Sequence, residues 1–362
     1  MFKHLRYLIF KLIYGKIDKV IIPQKSKKII LKKITLDNSI KYNFYNILNG
    51  RVYSDSVNNT AYISDDFLVK DASYQYKLKK NLQTINGDIF ENFVIKNGTP
   101  KLLKKINGTV FSILSGGAAK NNYWHWIFDV LPKIGILEKL NLKKKPNFYL
   151  TPSLKRKYQI ETLLDLKIPE EKLLDGEKYK HVKCDHLLTT DHPYVFNNNP
   201  SKSIENIPIW IIKWLRKKYL KNKLNNSNYS KKIYINREED SILKNRRIIN
   251  NKEVQDLLTN HGFKIISLSN YSFKEQVKIF NNAKIIVGLH GAGFANLIFS
   301  KPHTKVIELS SKYSGNVLQY LAKRCHLDYK KIVDSNSQSF KHQNNPIMVD
   351  LKKLKKLLIS FY

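Results

Sequence analysis

Between residues 230 and 330, short β-branched runs alternate with helix-length amphipathic segments, and this alternation constrains the fold more than any other feature of the chain. Residues 232–236, KIYIN, form the first run. Asn250 stands three residues before Glu253, close to a capping-box start for a helix with Val254, Leu257, Leu258 and His261 on one face, stopping at Gly262. A strand follows over 263–268. Ser272 and Glu275 make a second box, S-x-x-E, opening a helix with Phe273, Val277 and Phe280 turned inward. Two more strands, 284–287 and 305–309, flank a glycine turn. Strands and helices alternating at these lengths imply βαβ crossovers and a parallel sheet, so the expected class is α/β.

The first half is less regular. Runs at 61–69, 110–114, 147–151 and 185–190 read as strands, 122–140 as a long amphipathic helix, and 203–222 as a basic helix with Ile209, Ile212, Trp214 and Leu215 apolar. The polar tract 222–232 is the linker candidate, and 349–362 reads as a basic amphipathic helix. A chain of 362 residues exceeds what one hydrophobic core usually serves. The expected division is therefore a domain over 1–222, a second over 230–348 and a terminal helix over 349–362.

Four groups of residues carry chemistry. In NNYWHWIFDVLP, 121–132, His125 and Asp129 are four apart on the predicted helix and share a face. An imidazole beside a carboxylate makes a usable general base, with Asp129 slightly ahead of His125 for that role. Trp124 and Trp126 suit the C–H face of a sugar ring; the other reading is a packed helix with a satisfied His–Asp pair. In VGLHGAGFAN, 287–296, an apolar strand runs into glycines and then a helix start. Small residues there let a backbone approach a ligand, and a helix N-terminus offers N–H groups to phosphate. His290 is placed to donate to a phosphate oxygen; a plain strand-to-helix turn is the alternative. The sequence has neither the GxGxxG pattern nor a P-loop.

Arg237 follows the 232–236 strand directly, with Arg246 and Arg247 ten residues on. The C-terminal ends of parallel strands are where open α/β sheets bind ligands, and guanidinium forks suit a diphosphate. Solvated loop charges are the other reading. Glu308 closes the apolar strand VIEL and has the chemistry to accept from ribose hydroxyls, or to serve as an edge charge. There is no D-x-D motif; Asp65-Asp66 and Glu238-Glu239-Asp240 lack that alternation.

Charge narrows the partners. Lys and Arg number 64 against 29 Asp and Glu, a net +35. Part of this follows the Lys–Asn–Ile bias of an AT-rich code, but the depletion of acids points to a membrane surface or a diphosphate-bearing substrate. Two cysteines, Cys184 and Cys325, form no CxxC and fit a reducing compartment. The N-terminus, MFKHLRYLIFKLIYGK, is apolar but broken by Lys3, Arg6 and Lys11. It fits a basic amphipathic helix on the inner face of a membrane, or an ordinary first helix docked on the core. No run of apolar residues is long enough for a transmembrane helix.

Together, YWHWIFDVLPKIGIL at 123–137, INREEDSILKNRRIINNKEV at 235–254, FKEQVKIFNNAKIIVGLHGAGFANLIF at 273–299 and VIEL at 306–309 resemble glycosyltransferase family 61, of the bacterial capsular polysaccharide type. The resemblance spans roughly 120–310. It implies a GT-B-like fold, two Rossmann-like domains facing a cleft, the first on the acceptor side and the second binding the nucleotide sugar. It implies inverting, metal-independent transfer, no cofactor, and a nucleoside diphosphate sugar as donor, a UDP-sugar first. The acceptor would be a hydroxyl of a surface polysaccharide or lipid-linked glycan, with the protein cytoplasmic or peripheral on the inner membrane face. Carried over by residue, the donor site would hold Arg237, Arg247, His290, Gly291, Ala292, Gly293, Asn296 and Glu308. His125 and Asp129 match the acceptor-side motif where the base lies. Asn236-Arg237 stands where members often have Ser-Arg, and Phe294-Ala295 where Leu-Thr is common. The competing class is a non-catalytic, basic polyanion-binding protein, although no nucleic-acid-binding signature is present.

Overall fold

A computed structural model describes residues 2–37, 39–54, 59–79, 82–85, 89–115, 120–195, 199–220, 229–237, 246–334 and 345–361. Most of the linker candidate and the acidic triplet 238–240 lie outside the described residues. The chain divides into two compact units, Met1–Trp214 and Leu215–Tyr362, the boundary falling within the helix Ile209–Tyr219. Both units are α/β.

In the second unit, strands Lys264–Ile266, Lys232–Ile235, Ile285–Leu289, Lys305–Ser310 and Asp328–Val333 lie side by side in that order, every pair parallel. Counted along this unit the order is 2-1-3-4-5, a doubly wound sheet. Successive strand residues alternate between faces. Val287 and Leu289 pack with Tyr234, Ile307 and Leu309 against Val254 and Leu258 of helix Asn251–Asn260 and Leu354 and Leu358 of helix Leu351–Ile359. Gly288 takes the opposite face, where a Cβ would lie 3.1 Å from the ring of Phe294.

The Ser272–Glu275 box forms as expected, each side chain capping the other's backbone N–H, and Phe273, Val277 and Phe280 are buried. The Asn250 box does not. Asn250 makes no cap bond; its side chain instead pairs with the backbone of Val349 in both directions, at 2.9 Å each. After Leu289 the chain turns and enters a 3₁₀-helix, Ala292–Phe299, rather than an α-helix. Helix Val317–Arg324 and strand Asp328–Val333 complete the unit without having been anticipated.

The first unit is built on four parallel strands in the order His181–Thr190, Lys104–Ser112, Phe148–Thr151, Leu173–Asp175. The first of these also pairs antiparallel with Arg51–Tyr53 and with Ile40–Leu48, which extends the sheet into an N-terminal meander. The run at 61–69 is a hairpin, not one strand: Asn59–Ser64 and Phe67–Val69 pair across Asp65, which adopts φ 51°.

Residues 123–138 are helical throughout, but two expectations fail there. The stretch is not amphipathic, since every residue from Trp126 to Leu137 is buried. Nor is it regular. A π-helical turn, Trp126–Val130, separates Tyr123–His125 from Leu131–Glu138, with the Leu131 N–H reaching back to the Trp126 carbonyl. Pro132 explains the widening, because it has no N–H for the carbonyl four residues earlier and its ring crowds that position.

Candidate functional site

Two clusters form, each at the C-terminal ends of parallel strands. In the first unit, strand Lys104–Ser112 runs out through Ser115, whose hydroxyl donates to the Asp129 carbonyl at 2.7 Å. Asn122 caps the helical stretch by accepting from Trp124 N–H at 2.9 Å. His125 Nδ1 lies 2.8 Å from Asp129 Oδ2, and Tyr194 OH donates to Asp129 Oδ1 at 2.7 Å. His192, just beyond strand His181–Thr190, places Nε2 3.6 Å from Asp129 Oδ2. The backbone N–H groups of Tyr194 and Val195 donate to His192 Nδ1, so the ring proton of neutral His192 sits on Nε2, facing Asp129.

The electrostatics follow from this geometry. Burial pushes Asp129 up, but His125 and His192 outweigh it and hold the carboxyl well below the usual range. Burial opposes charge on His125, yet Asp129 outweighs it and the imidazole is raised above 6.5. With Asp129 ionised, the neutral form of His125 carries its proton on Nδ1, which leaves the Nε2 lone pair free in that form. Exposure separates the two groups: the His125 side chain keeps 25% of its surface, Asp129 3%. Asp129, favoured from sequence as the base, is enclosed and a weak proton acceptor. His125 is the reachable one.

Beneath them, Lys133 is fully enclosed and donates to the Leu114 carbonyl at 2.9 Å and to Thr189 Oγ1 at 3.1 Å. Burial brings its pKa down to about 7. Trp126 has no exposed surface and donates to Thr162 Oγ1, so it belongs to the packing and offers no face to a sugar. Trp124 is also buried, its ring tilted against Phe128 at 4.6 Å.

In the second unit, a 2-1-3-4-5 sheet opens a crevice at the C-terminal ends of its first and third strands. Those ends lead to Arg237 and His290. Arg237 Nη1 donates to the His290 carbonyl at 2.8 Å, and Arg246 Nη1 to the same oxygen at 3.2 Å. Burial and the adjacent Arg237 charge lower Arg246 to about 10. His290 Nδ1 lies 2.6 Å from Glu308 Oε1, and Tyr329 OH donates to Glu308 Oε2. Glu308 is wholly buried and committed to these two partners rather than turned toward a ribose.

The glycines here have different neighbours. A Cβ on Gly291 would meet Arg237 Nη1 at 2.2 Å, so the guanidinium occupies the space a side chain would need. A Cβ on Gly293 would meet Leu268 Cδ1 at 2.7 Å, a packing constraint. Ala292 is half-buried at the start of the 3₁₀-helix. Asn296 is buried and donates to Gln276 Oε1 at 2.9 Å, which ties the turn to the preceding helix. Arg247 is exposed. The pairing with Arg237 is made by Arg246.

The sequence model of glycosyltransferase 61 matches residues 123–307, just over half of the chain. The chain belongs to glycosyltransferase family 61. A beta-1,2-xylosyltransferase of Arabidopsis thaliana is 29% identical over 107 residues, covering 26% of this chain and 20% of the relative. The chain thus matches about a fifth of that curated relative's length.

As a family 61 chain it contains both clusters within or close to the matched span. His192 and Tyr194 were missed from sequence. Their signal was position, an imidazole and a phenol just past the C-terminal end of a strand, and it becomes readable only once that strand is known to be parallel. Tyr329 of this family 61 chain lies on a strand that was not anticipated at all, outside the matched residues.

Proposed function

We propose that this chain is an inverting glycosyltransferase of GT-B-like, two-domain organisation, which moves a sugar from a nucleoside diphosphate donor to a hydroxyl of a surface polysaccharide or lipid-linked glycan. Family membership supports the reaction class. The relative's name supports a pentosyl, specifically xylosyl, donor, with a UDP-sugar as the first expectation. The single observation that carries the mechanism is His125, its Nδ1 committed to buried Asp129 and its ring partly exposed.

In this reading His125 Nε2 takes the proton of the acceptor hydroxyl. The acceptor oxygen attacks the anomeric carbon from the face opposite the leaving group, a new C–O bond forms, and the bond from that carbon to the diphosphate oxygen breaks. Asp129 orients the ring and stabilises the imidazolium, and His192 and Tyr194 hold Asp129 in place. The departing nucleoside diphosphate carries away the bonding electrons as negative charge. Arg237 and Arg246 would meet that charge without a metal, and an anion beside them would offset the burial and the Arg237 repulsion that lower Arg246. His290 adds a third contact, for which its ring must carry a proton on Nε2 as well as the one shared with Glu308.

The test is release of nucleoside diphosphate from a panel of nucleotide sugars, with and without a glycan acceptor, alongside thermal shift with UDP, GDP, CDP and a short oligonucleotide. Acceptor-dependent release from one donor, lost in His125→Ala, supports the proposal. Stabilisation by the oligonucleotide alone, disappearing with salt, would replace it with polyanion binding.

A further inference from the structure

The N-terminal helix Phe2–Tyr14 is docked the wrong way round for a helix of a water-exposed domain. Its polar and aromatic face holds it to the first unit. Arg6 donates to the Pro100 carbonyl at 2.6 Å, Lys11 Nζ to the Lys96 carbonyl at 2.9 Å, and Tyr14 OH accepts from Leu103 N–H at 3.0 Å. Tyr7 meets the Phe93 ring edge-on, and Tyr14 meets His181. The opposite face carries Leu5, Leu8, Ile9, Leu12 and Ile13, spaced i, i+3, i+4, i+7, i+8, a continuous apolar stripe. All five are exposed, from 45% at Ile9 to 87% at Leu12. Leu102, beside the Tyr14 contact, is exposed as well.

Contiguous exposed apolar surface of this kind marks an interaction site. Charge decides between its occupants. Residues 1–33 hold ten Lys and Arg against one acid, Asp18, and Asp18 is paired with Lys16. A second copy of the chain would bring the same cationic segment against itself, at a cost in like-charge repulsion. An anionic lipid surface accepts both features at once: headgroups take the lysines while Leu and Ile side chains enter the acyl boundary. A helix of 13 residues rises only about 20 Å, short of a bilayer core, so it lies in the interface. Among the described residues no helix is long and apolar enough to cross a membrane.

We infer that the Leu5–Leu8–Ile9–Leu12–Ile13 stripe is a built-in docking surface for an anionic membrane leaflet, held in a fixed orientation on the first unit by Arg6, Lys11 and Tyr14. This inference does not depend on the transferase reading. It is tested by flotation of the full-length protein with vesicles of phosphatidylcholine alone and of phosphatidylcholine with phosphatidylglycerol, beside a Leu8→Glu/Leu12→Glu variant. Binding to the anionic vesicles that falls about tenfold or more in the variant, with an unchanged melting temperature, is the expected result. Binding that survives the substitutions would make the contact purely electrostatic and overturn the docking surface. Equal binding to neutral vesicles would overturn the choice of an anionic leaflet. Absence of vesicle binding, with a concentration-dependent dimer that the variant abolishes, would assign the stripe to a second copy instead.

Discussion

The two units carry the same device in different surroundings. In each, a histidine commits Nδ1 to a buried carboxylate, and a tyrosine hydroxyl holds the carboxylate's other oxygen: His125, Asp129 and Tyr194 in the first, His290, Glu308 and Tyr329 in the second. The neighbours differ. Asp129 has a second imidazole, His192, beside it. The His290 carbonyl is gripped by two arginines. A ring held this way beside a second imidazole is suited, in its neutral form, to taking a proton, whereas one set beside guanidiniums is suited, with both nitrogens protonated, to holding an anion. Environment assigns the role, and the pair alone does not.

Exchanging the losses between the two clusters is the sharpest way to break this comparison. His125→Ala should lower turnover by about 10²–10⁴-fold while nucleoside diphosphate binding, followed by thermal shift, stays as in the parent. Equal losses of binding in both would erase the distinction. Arg237→Ala should weaken nucleoside diphosphate binding by roughly tenfold to a hundredfold, the value of hydrogen bonds to a charged group, with Gly291→Ala acting in the same direction by evicting the guanidinium.

A pH profile sharpens it further. His125 is raised above 6.5, and only its neutral form accepts a proton, so kcat should fall as pH drops through that raised value. Asp129→Asn removes the cause of the rise and should move the acid limb to lower pH, with a reduced maximum. The linkage to stability has opposite signs for the two partners. His125, raised on folding, adds stability that is complete below its unfolded value and lost as pH climbs through the folded one. Asp129, depressed on folding, adds stability above 3.8 that is lost as pH falls. A change in stability belongs to Tyr194. Tyr194→Phe leaves one Asp129 oxygen without its donor and should cost about 1–3 kcal/mol in chemical denaturation.

The second unit was largely legible because its signals are local. Each strand and helix is contiguous, Ser272 and Glu275 cap one helix from within four residues, and the glycine turn sits between two strands. Asn250 misled because its partner, Val349, lies 99 residues away. The same distance problem hides most of the first unit. Strand Ile40–Leu48 finds its partner at 186–190, and Tyr194 reaches Asp129 across 65 residues, so no window of sequence contains both ends. His125 and Asp129 were visible as neighbours on a helix, but their division of labour depends on His192, Tyr194 and burial, none of which leaves a periodic trace. Arg246 and Arg247 look alike in sequence; only the fold decides which one turns inward to the His290 carbonyl.

The π-helical turn at Trp126–Val130 amounts to one residue more than an α-helix needs over the same path. Deleting a single residue from it would not break the helix but regularise it. Everything downstream would then keep its place, because an α-helix covers the same path with one residue fewer. Lys133 would stay with the Leu114 carbonyl and Thr189, which anchor it now. The extra residue is therefore felt inside the turn, in the spacing between His125 and Asp129, and not beyond it.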